Sequence, residues 1–90
     1  MRIPITSMAE LGLLVRATRK QQKLRVDDAA GSAGVSHRFV RDVEKGKPTV
    51  QFERVLQVLE ELGIRLEADA PDDVADELHR LRGKRAAGRA

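Results

Sequence analysis

Apolar side chains recur every three or four residues along much of residues 7–63, a spacing typical of helices with one buried face. The first stretch begins at Ser7, with Glu10 three residues later as in a capping box, and predicts a helix over about residues 7–22. The strongest pattern lies between Thr49, which can cap a helix, and Gly63, which can end one. Its apolar positions are Phe52, Val55, Leu56, Leu59 and Leu62.

Two short helices are predicted between these two, joined by a tight turn. The earlier one starts near Leu24, and Gly31 inside it costs about 1 kcal/mol relative to Ala. Close packing against a neighbouring helix is the expected reason for that glycine. Gly34 can form the turn and Ser36 can cap the next helix, which Gly46 ends. Two short helices joined by such a turn form a helix-turn-helix motif.

The second helix of this motif has two contrasting faces. Val40 and Val43, with Phe39 beside them, fall on one face, while the other carries His37, Arg38, Arg41 and Asp42. A helix this short is not stable alone in water, so its apolar face must pack on the rest of the domain. We expect its polar, partly basic face to enter the major groove of DNA.

Residues 64–69 alternate apolar and polar side chains, and they are the only strand candidate. One strand cannot satisfy its own backbone, so we expect it to pair with the same strand of a second copy through Ile64, Leu66 and Ala68. The alternative is an extended arm lying on the core.

The residues beyond this strand contain a weaker helical pattern. Pro71 followed by Val74, Leu78 and Leu81 predicts a short helix over residues 71–82. Residues 83–90 are small and basic, and we expect a flexible tail there.

Composition and charge agree with one small DNA-binding domain. The chain has 90 residues, no cysteine and a net charge of +3. Residues 1–54 carry 11 Lys and Arg against 6 Asp and Glu, whereas residues 55–90 carry 6 against 8. The positive half contains the two-faced helix, although solubility alone could also account for basic surface.

Nothing in the sequence predicts an enzyme, a cofactor or a metal site. His37 and His79 fall on separate elements without metal-ligand spacing, and the acidic stretch from Asp69 to Glu77 lacks the spacing of a calcium loop. No apolar run approaches the roughly 18 residues of a membrane span, and no signal peptide is visible. We expect a cytoplasmic, nucleoid-associated protein.

The stretch from Leu24 to Lys47 resembles the Xre/Cro-type helix-turn-helix family. The resemblance rests on Val35, Ser36, Val40, Glu44, Gly46 and Lys47. Residues 11–16, 36–42, 46–49 and 62–66 further resemble the HipB-like antitoxin branch. The family implies a mainly α, five-helix, lambda-repressor-like domain over residues 7–63, followed by a strand that pairs across a homodimer. An additional short helix then follows.

The resemblance also implies roles for individual residues. Base reading falls to Ser36, His37, Arg38, Arg41 and Asp42, with Arg38 first because arginine can bond guanine twice. Arg41 and His37 could instead contact phosphate alone. Lys45 and Lys47 match phosphate contacts. Arg25-Val26 replaces the usual Thr-Gln, so the charge of Arg25 is expected to replace the phosphate bond of that Gln. Arg19 and Glu44 match positions that form a structural salt bridge.

The function implied is a dimeric, sequence-specific repressor that is the antitoxin of a HipA-like kinase toxin and represses their shared operon. It would bind a pseudo-palindromic operator. Two alternatives stay open: a free-standing Xre-type repressor without a toxin partner, and a protein-interaction module whose DNA face is vestigial.

Overall fold

A computed structural model describes residues 1–89, which contain five α-helices, one 3₁₀ turn and no strand. The helices are α1 (Met8–Gln21), α2 (Val26–Ala33), α3 (His37–Glu44), α4 (Phe52–Leu62) and α5 (Ala75–Arg89), and the 3₁₀ turn (Asp72–Val74) precedes α5. The first four helices pack together, and α2 and α3 form the predicted helix-turn-helix.

The core is made of small aliphatic side chains from these four helices. Val15, Val40, Val43 and Val55 have no exposed surface. The other buried apolar residues are Leu11, Ala29, Ala30, Val58, Leu59 and Leu62. The predicted stripe of α4 is therefore largely confirmed, except that Phe52 at its start is half exposed.

The start of α4 differs from the prediction. Gln51, and not Thr49, occupies the N-cap position, and no side chain caps this end. Residues 48–50 form a turn before the helix begins, and Val50 in this turn is half-buried against the core. At the other end, Gln22 Nε2 donates a hydrogen bond to the carbonyl oxygen of Leu62 at 2.8 Å, which ties the end of α1 to the end of α4.

Close helix packing occurs at Gly12 and Gly46, not at Gly31 as predicted. A Cβ atom on Gly12 would lie 2.3 Å from the carbonyl oxygen of Val43, so α1 and α3 touch backbone to backbone. Gly46 (φ 78°) lies against Ala9 in the same way. A Cβ on Gly31 would meet nothing within 4 Å, because this side of α2 faces open space.

Residues 64–70 form neither helix nor strand within the described chain. A strand ladder needs a second strand, and the other regular elements of residues 1–89 are helical. Pairing of residues 64–69 with a second copy therefore stays a prediction.

The C-terminal helix is longer than predicted. We expected a helix over residues 71–82 and a flexible tail over residues 83–90, but α5 continues to Arg89. Alanine, lysine and arginine favour helix, and cations are stabilising near a helix C-terminus, which accounts for the extension. Ala90 lies outside the described residues. The main contact of α5 within the described chain is with the 3₁₀ turn before it.

Candidate nucleic-acid interface

A short turn and a cap set the direction of α3. Gly34 adopts a left-handed conformation (φ 70°) after α2, which a residue with a side chain rarely does. Ser36 Oγ accepts a hydrogen bond from the Phe39 amide at 3.0 Å and so satisfies one free N–H group at the helix start. Val40 and Val43 then point into the core and leave the opposite face in solvent.

Four of the five predicted base-reading residues lie exposed on or beside this face: Ser36, His37, Arg38 and Arg41. Neither Arg38 nor Arg41 lies within ion-pairing distance of a carboxylate among residues 1–89. Both guanidinium groups can therefore donate to an anionic ligand without first breaking a bond to the protein. Arg41 also lines a shallow groove together with Arg16 of α1 and with Lys45.

Arg16 is a cation that the sequence prediction did not place at the site. It lies 25 positions before Arg41, and only the packing of α1 against α3 makes them neighbours. The one sequence signal for it is the helical spacing of α1, which keeps Arg16 off the face that buries Leu11 and Val15.

His37 is hydrogen-bonded to Asp27, which also was not predicted at the site. The Nδ1–H of His37 donates to Oδ1 of Asp27 and so joins the start of α3 to the first turn of α2. This hydrogen bond, and then the attraction between the charges, hold the pKa of the Asp27 carboxyl below its ordinary value. Arg25 Nη2 lies 3.8 Å from the other oxygen of Asp27. Asp27 thus binds one of the predicted DNA-contacting residues, His37, and lies close to a second, Arg25.

Asp42 lies apart from the other predicted base readers. Its side chain is only 25% exposed, and Oδ2 lies 3.8 Å from Nζ of Lys47. The Lys47 amide also donates to the carbonyl oxygen of Asp42 at 3.0 Å. These contacts shape the loop after α3, from which Lys45 and Lys47 project into solvent.

A buried ion pair fixes the far end of α3. Arg19 Nε donates to Oε2 of Glu44 at 2.6 Å, and Nη2 donates to Oε1 at 3.0 Å. Nη1 donates to the carbonyl oxygen of Leu24 at 2.9 Å, just before α2. The two side chains are about 10% exposed, and the bond to Glu44 raises the pKa of Arg19. One guanidinium thus connects α1, the segment before α2 and the end of α3, which agrees with the structural role that the resemblance implies.

The three predicted dimerisation residues have different environments. Ile64 is half-buried against the core, and its amide donates to the carbonyl oxygen of Leu59 at 2.9 Å. Leu66 and Ala68 are exposed. The first residue of the segment is therefore anchored, and the next two apolar residues are available to a second chain.

Residues 1–89 contain neither a cluster of metal ligands nor a membrane-spanning helix. No group of three or more His, Cys, Asp or Glu side chains in this range is placed to hold a metal ion. No helix in the same range is both long enough and apolar enough to cross a membrane.

A family model and a known relative both match this chain as a helix-turn-helix protein. A family model described as "Helix-turn-helix domain" matches residues 10–70. An HTH-type transcriptional regulator named y4mF, from Sinorhizobium fredii, is 51% identical over 69 residues, which cover 77% of this chain and 91% of the relative; its function is uncharacterised.

Solved structures share the fold at low sequence identity. HipB in a HipA–HipB–O2–O3 complex superposes with a TM-score of 0.72 at 14% identity, over 79% of this chain and 100% of the other. HipB in a complex with an O4 20mer gives a TM-score of 0.70 at 17% identity, over 78% and 100%. The chain therefore belongs to the helix-turn-helix family of DNA-binding transcriptional regulators, of the Xre type with a HipB-like fold.

Proposed function

We propose that the chain is a homodimeric, sequence-specific repressor and the antitoxin of a HipA-like kinase toxin, and that it represses their shared operon. The observation that carries the DNA-binding half is the exposed face of α3, with Arg38 and Arg41 uncommitted beside a basic groove. The antitoxin half is supported by the HipB-like fold, since HipB occurs in a complex with HipA.

Base reading is assigned to Arg38 first. It lies in the first turn of α3, the part of a recognition helix that reaches base edges. An arginine bonded twice to guanine supplies about 1–3 kcal/mol of discrimination. Arg41 is one turn further on, next to Arg16 and Lys45, where phosphate contact is the simpler role. Arg25 and Lys47 complete the phosphate contacts, and Asp42 shapes the loop.

A dimer would place two copies of α3 in successive major grooves, roughly 34 Å apart along a pseudo-palindrome. The exposed Leu66 and Ala68 support strand pairing as the way in which two copies meet.

The DNA-binding half is tested by operator selection followed by titration at several salt concentrations. Arg38→Ala should relax the base preference at one position of each half-site, at a cost of about 1–3 kcal/mol. Lys45→Ala should weaken binding to all sequences alike and reduce the salt slope by about one. Arg80→Ala on α5 is the control with the same charge change. Unchanged sequence preference in Arg38→Ala would refute its role as a reader.

The antitoxin half is tested by co-expression with a HipA-like kinase from the same host. Growth should be restored by the wild-type chain and also by Arg38→Ala, because neutralisation needs no operator. If neither chain restores growth or co-purifies with the kinase, the protein is a free-standing repressor. The y4mF relative, a transcriptional regulator by name, favours that second candidate.

A further inference from the structure

The 3₁₀ turn and α5 carry an apolar stripe that nothing covers in the described chain. Val74, Leu78 and Leu81 follow at spacings of four and three residues and are 40%, 44% and 47% exposed. This spacing places them on one side of the helix, as in the seam of a coiled coil. An isolated helix of this length is marginal in water, so a partner on the stripe would stabilise it.

The charges along α5 indicate which partner fits. The 3₁₀ turn and the first turn of α5 carry only acidic charges, whereas the next part of α5 carries only basic ones. The acids are Asp72, Asp73, Asp76 and Glu77, and the bases are Arg80, Arg82, Lys84 and Arg85. A helix with one negative and one positive half is complementary to itself when a second copy runs antiparallel. A parallel copy would instead place like charges side by side.

We propose that α5 pairs antiparallel with α5 of a second copy of this chain. The proposal rests on the dimer of the proposed function and adds a second contact to it. Three half-exposed side chains in each copy bury far less than the ~1,200 Å² of a stable interface. The helix pair therefore strengthens a dimer that also forms elsewhere.

The stripe fixes the register of this pair. In coiled-coil order Val74 and Leu81 are d positions, and Leu78 and Arg85 are a positions. Antiparallel packing then sets Leu78 against the second copy's Leu81, and Val74 against the methylene stem of the second copy's Arg85. Glu77 and Lys84 lie on the same flank of the stripe. In the antiparallel pair, Glu77 of each copy therefore faces Lys84 of the other copy.

Glu77 is free to make this new contact at little cost. It now pairs with Arg80 three residues later on the exposed surface of the same helix. Such exposed pairs contribute little to stability, because solvent screens them. Exchanging Arg80 for the second copy's Lys84 keeps the carboxylate paired.

Strand pairing and helix pairing can share one two-fold axis. Antiparallel strands and antiparallel helices each place equivalent ends on opposite sides of that axis. Six strand residues span roughly 20 Å at 3.3 Å per residue. Residues 72–85, which are the 3₁₀ turn and the first part of α5, span about the same length at roughly 2.0 and 1.5 Å per residue. The linker at residues 70–71 therefore has only a short distance to cover.

The first experiment measures the dimer dissociation constant by sedimentation at low salt. Glu77→Lys should raise it about tenfold, because two symmetric attractions become repulsions. Lys84→Glu should do the same, and a mixture of the two variants should associate as tightly as wild type. Asp76→Lys is the matched control: it makes the same charge change in the same helical turn, at the adjacent residue and off the seam. It should change the constant less than threefold.

The second experiment uses the absence of native cysteine. Glu77→Cys mixed with Lys84→Cys should form a disulfide-linked dimer under mild oxidation, and neither variant alone should do so. Self-linking of either variant would indicate parallel pairing and overturn the proposal. Three other results would also overturn it. Glu77→Lys and Asp76→Lys could raise the dissociation constant equally, the mixture could associate no more tightly than either variant alone, or the wild type could be monomeric. Operator binding measured on the same samples reports separately on the proposed function.

Discussion

Two glycines in neighbouring helices should respond in opposite ways to the same substitution. Gly12 lies in α1 against α3, whereas Gly31 lies in α2 and faces open space. In both helices alanine gains up to about 1 kcal/mol over glycine, because it restricts the unfolded chain and favours helix. The difference in the free energy of unfolding between the two variants therefore measures the cost of disturbing the contact of α1 with α3.

The cost at Gly12 follows from the distances. A Cβ there would lie 2.3 Å from the carbonyl oxygen of Val43 and 2.9 Å from that of Glu44. Ordinary contacts of this kind exceed 3.0 Å, so the helices must separate by several tenths of an ångström to about 1 Å. Both contacting atoms belong to backbone and cannot rotate away. Overpacking of a core costs about 1–3 kcal/mol or more, so Gly12→Ala should lose about 2 kcal/mol after the helix gain.

The assay is thermal and denaturant unfolding followed by circular dichroism, at one protein concentration because the chain is proposed to dimerise. Gly31→Ala should raise Tm by about 2–6 °C, and Gly12→Ala should lower it by about 8–16 °C. A Gly12→Ala variant as stable as wild type, or a Gly31→Ala variant that is less stable, would refute this account of the helix contact.

Three further predictions concern the supports of α3. Glu44→Leu should lower the free energy of unfolding by about 3–5 kcal/mol in denaturant titration, because it leaves the buried charge of Arg19 unpaired; Arg19→Met/Glu44→Leu should recover much of that loss. Ser36→Ala should cost about 1 kcal/mol in the same assay without DNA, since α3 loses its cap. The pKa of Asp27 is lowered in the folded state, so its bond with His37 stabilises the fold above the unfolded pKa near 4 and stops doing so as the pH falls through the lowered value. Asp27→Asn should therefore lose less stability than wild type between pH 5 and pH 3.

Local patterns in the sequence were sufficient to predict the helices that carry the candidate site. Spacing alone placed Val40 and Val43 on the buried side of α3, and Ser36 is the cap as predicted. The same residues forced Arg38 and Arg41 into solvent. Such local signals are reliable because helix periodicity and capping involve residues fewer than five positions apart.

Contacts between distant residues could not be predicted in the same way. The approach of Gly12 to Val43 and the neighbourhood of Arg16 and Arg41 both depend on how α1 crosses α3. A glycine looks the same in sequence whether it serves close packing or faces solvent, so the prediction of close packing at Gly31 is wrong. Segment ends were also uncertain, because a basic, alanine-rich stretch after residue 82 suits a tail as well as a helix.

The side chains that we propose to face DNA depend on supports that do not themselves line that face. α3 has eight residues and is too short to be stable alone, so the position of Arg38 follows from contacts at both ends of the helix. Ser36 and the Asp27–His37 bond hold the start, while Glu44 with Arg19, and Gly12 under Val43, hold the end. A displacement of about 1 Å at either end would carry an arginine out of hydrogen-bond range of a base edge. Variants at Gly12 or Glu44 should therefore lose sequence preference while they are still folded, although neither residue is placed to touch DNA.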